Sequence, residues 1–470
     1  MRNLTMLTDL YQLTMMNGYV ETDTADKEAV FDVFYRPAPG LEWAVAAGLE
    51  QAIDMINNLS FSEEDIAYLR SLNCFGEKFF ARLADFKFTG DIYAVREGEI
   101  VFPMEPILTV KAPIFQAQLI ETALLNIINH QTLIATKSLK ITQETTGAVS
   151  EFGLRRAQGP DAGLYGARAS IIGGCTSTSN VLAGKMFGLK VSGTHAHSWV
   201  MSFDTELEAF RKYAEIYPNN CLLLVDTYDT LKSGVPNAIK VFDELKAKGI
   251  KPVGIRLDSG DLAYLSKRAR VMLDEAGHTE AKIFASGDID ENILNSLHIQ
   301  GAKIDVWGIG TKLITAAPNP ALGGVYKLAS INETGVWVPK MKVSDTQIKI
   351  TNPGLKTTYR IYDQKGMAAA DMIALRDEAI DTSKPLTVFH PVETWKKKTF
   401  TEYTVRDIMV KVIENGKQIV NNPSLNDIVT FATQSRSEFW AEYMRLINPH
   451  IYKVDLSAKL WEMRQSIINK

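Results

Sequence analysis

Cysteine is scarce in this chain: Cys74, Cys175 and Cys221 are the only three in 470 residues, odd in number, widely spaced and without a Cys-x-x-Cys pair. Neither a disulfide framework nor a cysteine-built zinc site is expected, and a reducing cytoplasm fits best. Long apolar runs are missing as well. No stretch approaches the roughly twenty residues needed to cross a bilayer, and the opening MRNLTMLTDLYQLTMMNGYV, interrupted by Thr8 and Asp9, does not read as a signal peptide. Strong charge of one sign is absent too, since 51 Lys and Arg against 55 Asp and Glu leave a net charge of -4. That balance excludes a general attraction to nucleic acid or to an anionic membrane, so any anion must be held by local arginines and backbone dipoles.

What is present is an ordinary globular composition, 46% hydrophobic and 23% charged, over a length sufficient for two or three domains with sizeable cores. The chain is organised around Glu151 to Phe203, which packs two adjacent arginines, a run of small hydroxyl residues and two histidines between short apolar segments. Arginine pairs bind carboxylate or phosphate through paired hydrogen bonds, and Gly, Ser and Thr let a backbone approach an anion closely.

In chain order, residues 7 to 20 read as an amphipathic helix that Thr8 or Asp9 can cap, with Tyr11 projecting from a separate face. AVFDVFYRPAP (29 to 39) reads as a strand ended by prolines, and a helix follows from about Trp43 to Leu59. A second helix opens at the Ser62-Glu63-Glu64-Asp65 box, residues 90 to 110 give short strands, and 114 to 146 return to helical periodicity. From Val149 the rhythm changes to short strands followed by helices: VSEFGL, LKVSGT, CLLLVDTY, PVGIRLDS, KIFASGD and DVWGIG, the alternation of a parallel β/α architecture. Residues 340 to 363 look like strands around an Asn-Pro-Gly turn, and the last ninety residues read mainly as helix. The expected fold is α/β: an irregular parallel β/α barrel (136 to 330), an α+β sandwich domain (1 to 135) and a mainly helical C-terminal region (331 to 470), part of it packing on the N-terminal domain.

Nearly every expected parallel strand ends in polar groups: Arg155 and Arg156, Thr194 to His197, Asp226 and Asp229, Arg256 with Asp258, Ser286 to Asp288, and Gly308, Gly310 and Thr311. In a β/α barrel these ends share one face, where ligands bind. Gly310 and Thr311 offer a phosphate cradle, and Asp226 with Asp258 offers oxygen ligands for Mg2+, or else these carboxylates cap helices and pair with Arg256. His197 could act as a nucleophile toward a phosphoryl group, although a lone histidine is more often a satisfied structural group.

Ten segments then acquire a joint meaning: LTDLYQLTM (7 to 15), FYRPAPG (34 to 40), EFGLRRAQGPDAG (151 to 163), STSNVLAGK (177 to 185), GTHAHSWV (193 to 200), LLVDTYDT (223 to 230), GIRLDSGDL (254 to 262), FASGDID (284 to 290), GIGTKL (308 to 313) and GGVYKLA (323 to 329). In content and order they resemble the nicotinate phosphoribosyltransferase family. The resemblance implies joining of nicotinate to 5-phosphoribosyl 1-diphosphate, with Mg2+ as cofactor and coupling to ATP hydrolysis through a phosphorylated histidine, His197. It further implies a homodimer in which Tyr11 of one subunit and Phe152 of the other sandwich the pyridine ring. Arg155 would meet anionic substrate groups, Ser179 and Thr194 would lie near the base, and Arg256 with Asp258 would bind the ribose diphosphate. Gly287 and Asp288 would address ribose or phosphate, and Gly310 and Thr311 the 5-phosphate.

Three rivals are set apart by length or by particular residues. A nicotinamide-using relative would place a carboxylate where Thr176 to Asn180 are neutral, and a quinolinate-using one has a shorter chain and no phosphorylatable histidine. A lyase or aldolase would require a lysine or a metal triad at a strand end, for which Lys312 is the one obvious candidate.

Overall fold

Two compact units make up the chain: Met1–Leu133 with Ala321–Lys470, and Ile134–Pro320. The computed structural model describes residues 3–346, 349–393 and 395–469.

In the first unit the strand Glu28–Tyr35 is buried along nearly its whole length, between Gly324–Glu333 and Leu108–Pro113 in a seven-stranded sheet. Its EAVFDVFY sequence carries an acid into that core, Asp32, which is matched by Lys356 Nζ at 2.7 Å and by the Thr109 hydroxyl at 2.6 Å. A second, six-stranded sheet contains Lys356–Tyr362 and Ala368–Leu375. The expected capping box is present at Ser62 and Asp65, opening the helix Glu63–Ser71. The N-terminal helix is Leu10–Glu21; Asp9 stands at its N-cap, but its carboxylate accepts from the Thr122 hydroxyl instead of capping.

Three expectations for this unit change. The helix read from Trp43 begins only at Leu49, because Ala44–Val45 pairs as a strand and Gly48, at φ +98°, turns the chain in a conformation that favours glycine. Residues 340 to 363 yield one strand, Lys356–Tyr362, after an irregular stretch in which Gln347 and Ile348 lie outside the described residues. The C-terminal helices Leu425–Ser437 and Ala458–Ile468 are there, but Leu386–Phe389, Lys397–Phe400, Thr404–Asp407 and Met409–Glu414 are strands. Lys396 to Lys398 are exposed, as expected of a solvated face.

The second unit is a parallel sheet in which the first strand lies between the second and the last, and the strands from Leu222 onward each lie beside their successor. Ser177–Thr178 pairs with Ala148–Glu151, which pairs with Val306–Ile309, then Lys282–Gly287, Gly254–Leu257 and Leu222–Leu224. Helices such as Val235–Ala247 and Leu262–Glu275 follow the strands and bury Val241, Phe242, Leu245, Ala269 and Leu273 in the unit's core. Alternating β and α segments therefore give the expected α/β architecture, but the ladders leave the barrel open at one joint. The expected strand LKVSGT contributes a single bridge, Val191 to Thr178, before Gly193. The remaining gap is crossed by side chains: the Thr194 hydroxyl donates to the Leu222 carbonyl at 2.6 Å, and the Leu224 N–H donates to His195 Nε2 at 3.3 Å. Among the described residues no helix is long and apolar enough to cross a membrane.

Candidate functional site

The inside of the parallel sheet is not filled. A cavity of about 500 Å³ is lined by Ser150, Phe152, Ser177, Thr194, Arg256 and Ser286, among others. Small hydroxyl residues leave it open where branched aliphatics would have packed it shut. They are linked to one another, Ser150 to Ser177 at 2.7 Å and Ser177 to Ser192 at 2.8 Å.

At the carboxyl ends of the strands one network gathers the charged groups. Arg256 donates from Nε to the Ser286 hydroxyl and from a terminal nitrogen to Asp258 Oδ1, both at 2.8 Å, and the Ser286 hydroxyl also donates to Asp258. Burial works to raise the Asp258 carboxyl, but the hydrogen bonds from Ser286 and Arg256 together with the Arg256 charge outweigh it and hold the group below the usual range. Asp258 Oδ2 stands 4.0 Å from His197 Nε2, and His197 Nδ1 is 3.1 Å from the Thr227 hydroxyl. The backbone N–H of Asp258 and the Ser259 hydroxyl both donate to Asp226 Oδ2, at 2.8 and 2.7 Å. Gly287, at φ +127°, passes so near that an added Cβ would lie 3.0 Å from the Asp258 carbonyl oxygen.

Asp226 also supplies a test of the expected Mg2+ site. Its Oδ1 is buried with no partner among the described residues, the kind of hard oxygen that a divalent cation takes. Asp258 is less available, being tied to Arg256 and Ser286, so the pairing reading applies to it. No group of three or more His, Cys, Asp or Glu side chains gathers as a ligand set among the described residues. A cation at Asp226 would therefore complete its shell with substrate oxygens and water.

The ring of Phe152 stands on the other side of Arg256, whose guanidinium carbon is 5.9 Å from the ring centroid. Gly308 makes room for it, since an added Cβ would come within 2.6 Å of the ring. Gly310 lies against the Phe152 carbonyl and caps the short helix Thr311–Ile314. Ser179 donates its N–H to the Glu151 carbonyl at 2.9 Å. Arg155 is exposed on the turn Leu154–Arg156, and Asp288 is exposed beside Gly287. Tyr11 belongs to the first unit, where it is half exposed and donates to Glu121 at 3.1 Å. Thr227 and Glu151 carry no role in the sequence reading although both lie in segments it marks, DTYD and EFGLRR; each meets its partner about thirty positions away.

The two histidines divide their roles. His195 is buried against Tyr213, with ring centroids 4.6 Å apart, and accepts the Leu224 N–H. Burial pushes its pKa down to about 4, so it stays neutral while an unfolded histidine would bind a proton below about 6.5. The stabilisation is thus complete above pH 6.5 and is lost as pH falls toward 4, by roughly 3 kcal/mol in all. Denaturant unfolding between pH 7 and 4.5 should show this decline, and a His195→Gln variant should show a flatter acid limb; equal slopes would mean that His195 does not titrate this way.

Comparison with known proteins assigns the chain. The family model for the nicotinate phosphoribosyltransferase N-terminal domain matches residues 6–129, that of the family itself residues 148–364, and that of the C-terminal domain residues 355–464. A nicotinate phosphoribosyltransferase of Bacillus subtilis is 48% identical over 471 residues, spanning 100% of this chain and 96% of that protein. One from Dictyostelium discoideum is 35% identical, over 97% of this chain and 87% of its own. The crystal structure of human nicotinic acid phosphoribosyltransferase superimposes with a TM-score of 0.86 at 30% identity, covering 98% of this chain and 100% of that one. With every region from residue 6 to 464 either matched by these models or spanned by these relatives, the chain is a member of the nicotinate phosphoribosyltransferase family.

Proposed function

We propose that this protein joins nicotinate to 5-phosphoribosyl 1-diphosphate, giving nicotinate mononucleotide and diphosphate for NAD biosynthesis, and couples the transfer to ATP hydrolysis through phosphorylated His197. The observation that carries the reading is the convergence of Arg256, Asp258, Ser286, Asp226 and His197 in one network at the strand ends.

Glycosyl transfer passes through an oxocarbenium-like state as diphosphate departs. Arg256, its planar fork already oriented by Ser286 and Asp258, meets the growing negative charge without having to reorganise. Mg2+ bound at Asp226 would supply further charge neutralisation at the diphosphate. Phe152 holds the pyridine ring, Ser179 and Thr194 border it, and Arg155 attracts the carboxylate. Gly287, Asp288, Gly310 and Thr311 address the ribose and 5-phosphate. No general base is needed, because the attacking ring nitrogen carries no proton. Tyr11, exposed on its helix, suits a role at the neighbouring site of a homodimer, and three free thiols suit a reducing cytoplasm.

In the ATP half-reaction, His197 donates its Nδ1 proton to Thr227 and leaves the Nε2 lone pair to attack the γ-phosphorus. An N–P bond forms as the bond to the bridging oxygen breaks, and ADP departs with that electron pair. Phosphohistidine tightens the hold on 5-phosphoribosyl 1-diphosphate, and its hydrolysis after turnover resets the enzyme. A His197→Ala variant should take up no label from γ-labelled ATP and lose the stimulation of product formation by ATP. Retention of both would remove His197 from this role.

A further inference from the structure

We propose that Glu151 is a positioning residue for the nicotinate side of the site, an assignment that rests on the function proposed above. Glu151 ends the strand Ala148–Glu151 and is fully buried. Carboxylates are seldom buried unless something in the fold uses them. Here the partners are neutral donors: one carboxylate oxygen accepts the Thr178 hydroxyl at 2.6 Å and the other accepts the Gly153 N–H. The residue's carbonyl meanwhile accepts the Ser179 N–H at 2.9 Å.

One side chain and its own peptide thus fix three points around the base. Gly153 follows Phe152 directly, and the Phe152 N–H is held by the Ile309 carbonyl at 2.8 Å, so the turn bearing the ring is anchored on both sides. Thr178 and Ser179 belong to the neutral run Thr176 to Asn180, whose Thr176 and Ser177 line the same cavity as Phe152. Burial pushes the Glu151 carboxyl up, and the bonds from Thr178 and Gly153 oppose that rise. A glutamine in its place could accept only one of those two donors well, because its amide nitrogen is itself a donor. The Arg256, Asp258 and Ser286 network does not depend on Glu151, since the three are bonded among themselves.

The test measures KM for each substrate separately in the full-length protein, with wild type, Glu151→Gln, Glu151→Ala and Gly308→Ala side by side. Glu151→Gln should raise KM for nicotinate about tenfold, the scale of one lost hydrogen bond to a charged group. KM for 5-phosphoribosyl 1-diphosphate and ATP hydrolysis without nicotinate should not move. Glu151→Ala should lose more, and the glutamine should recover part of it. Gly308→Ala keeps the carboxyl but pushes on the Phe152 ring, and should give the same one-sided KM change even where Glu151→Ala fails to fold. Parallel rises in both KM values, or lowered melting with unchanged kinetics, would reduce Glu151 to a structural residue and overturn the proposal. Wild type without nicotinate-dependent product would overturn the proposed function instead, and the proposal with it.

Discussion

Replacing Arg256 with glutamine is expected to lower kcat/KM for 5-phosphoribosyl 1-diphosphate by about a hundredfold to a thousandfold, the usual cost of removing an oriented charge donor from a transition state. Two effects add. The guanidinium proposed to meet the departing diphosphate is gone, and Asp258 loses the ion pair that holds its carboxylate ionised and occupied. Its charge would then stand unpaired beside an anion. Steady-state kinetics with 5-phosphoribosyl 1-diphosphate varied at saturating nicotinate checks this, and KM and kcat should both suffer. The fold should survive, because Arg256 bonds only side chains at the strand ends and the ladder of Gly254–Leu257 is made by backbone. An unchanged constant would place the diphosphate elsewhere.

The largest effect on stability is expected at Arg360 in the first unit. Its guanidinium is fully buried, bonded to Asp371 at 3.0 and 2.7 Å, to Glu99 at 2.6 Å and to the Ile100 carbonyl at 2.7 Å. Arg406 adds two bonds to Glu99, and Tyr452 donates to Asp371 at 3.0 Å. Arg360→Ala leaves buried Asp371 without its guanidinium and Glu99 with Arg406 as its remaining cation, and should destabilise by about 3 to 5 kcal/mol, read as a lower midpoint in denaturant. Glu105, in the same cluster, makes the contrast. Burial and the neighbouring Asp371 push its carboxyl well above the ordinary range, which favours the neutral form. Glu105→Gln should therefore cost little. If the two variants fell equally, charge would not be what distinguishes the two positions.

How far the sequence anticipated this molecule depends on the range of the interactions involved. Parallel strands such as CLLLV and KIFA were legible because a strand buried on both faces must be a short apolar run, and the site was legible because polar residues collect at the ends of such runs. Arg256 and Asp258 lie two apart in one segment, so their pairing was open to view. Thr227 opposite His197, and Thr178 over Glu151, come from separate segments and leave no local trace. Strands between 386 and 418 were read as helix because their exposed lysines and short apolar stretches fit either period. The Arg360 cluster was invisible for a related reason. Charges that pair across two hundred and more positions look, one at a time, like surface.

The seam between Leu222–Leu224 and the THAH segment has a consequence of its own. Every other joint in the parallel sheet is written in main-chain amides, which no substitution short of proline can erase. This one is written in a hydroxyl and an imidazole, Thr194 and His195. Two codons are enough to unlatch this seam while leaving each strand whole, and the imidazole of the latch sits two residues from His197.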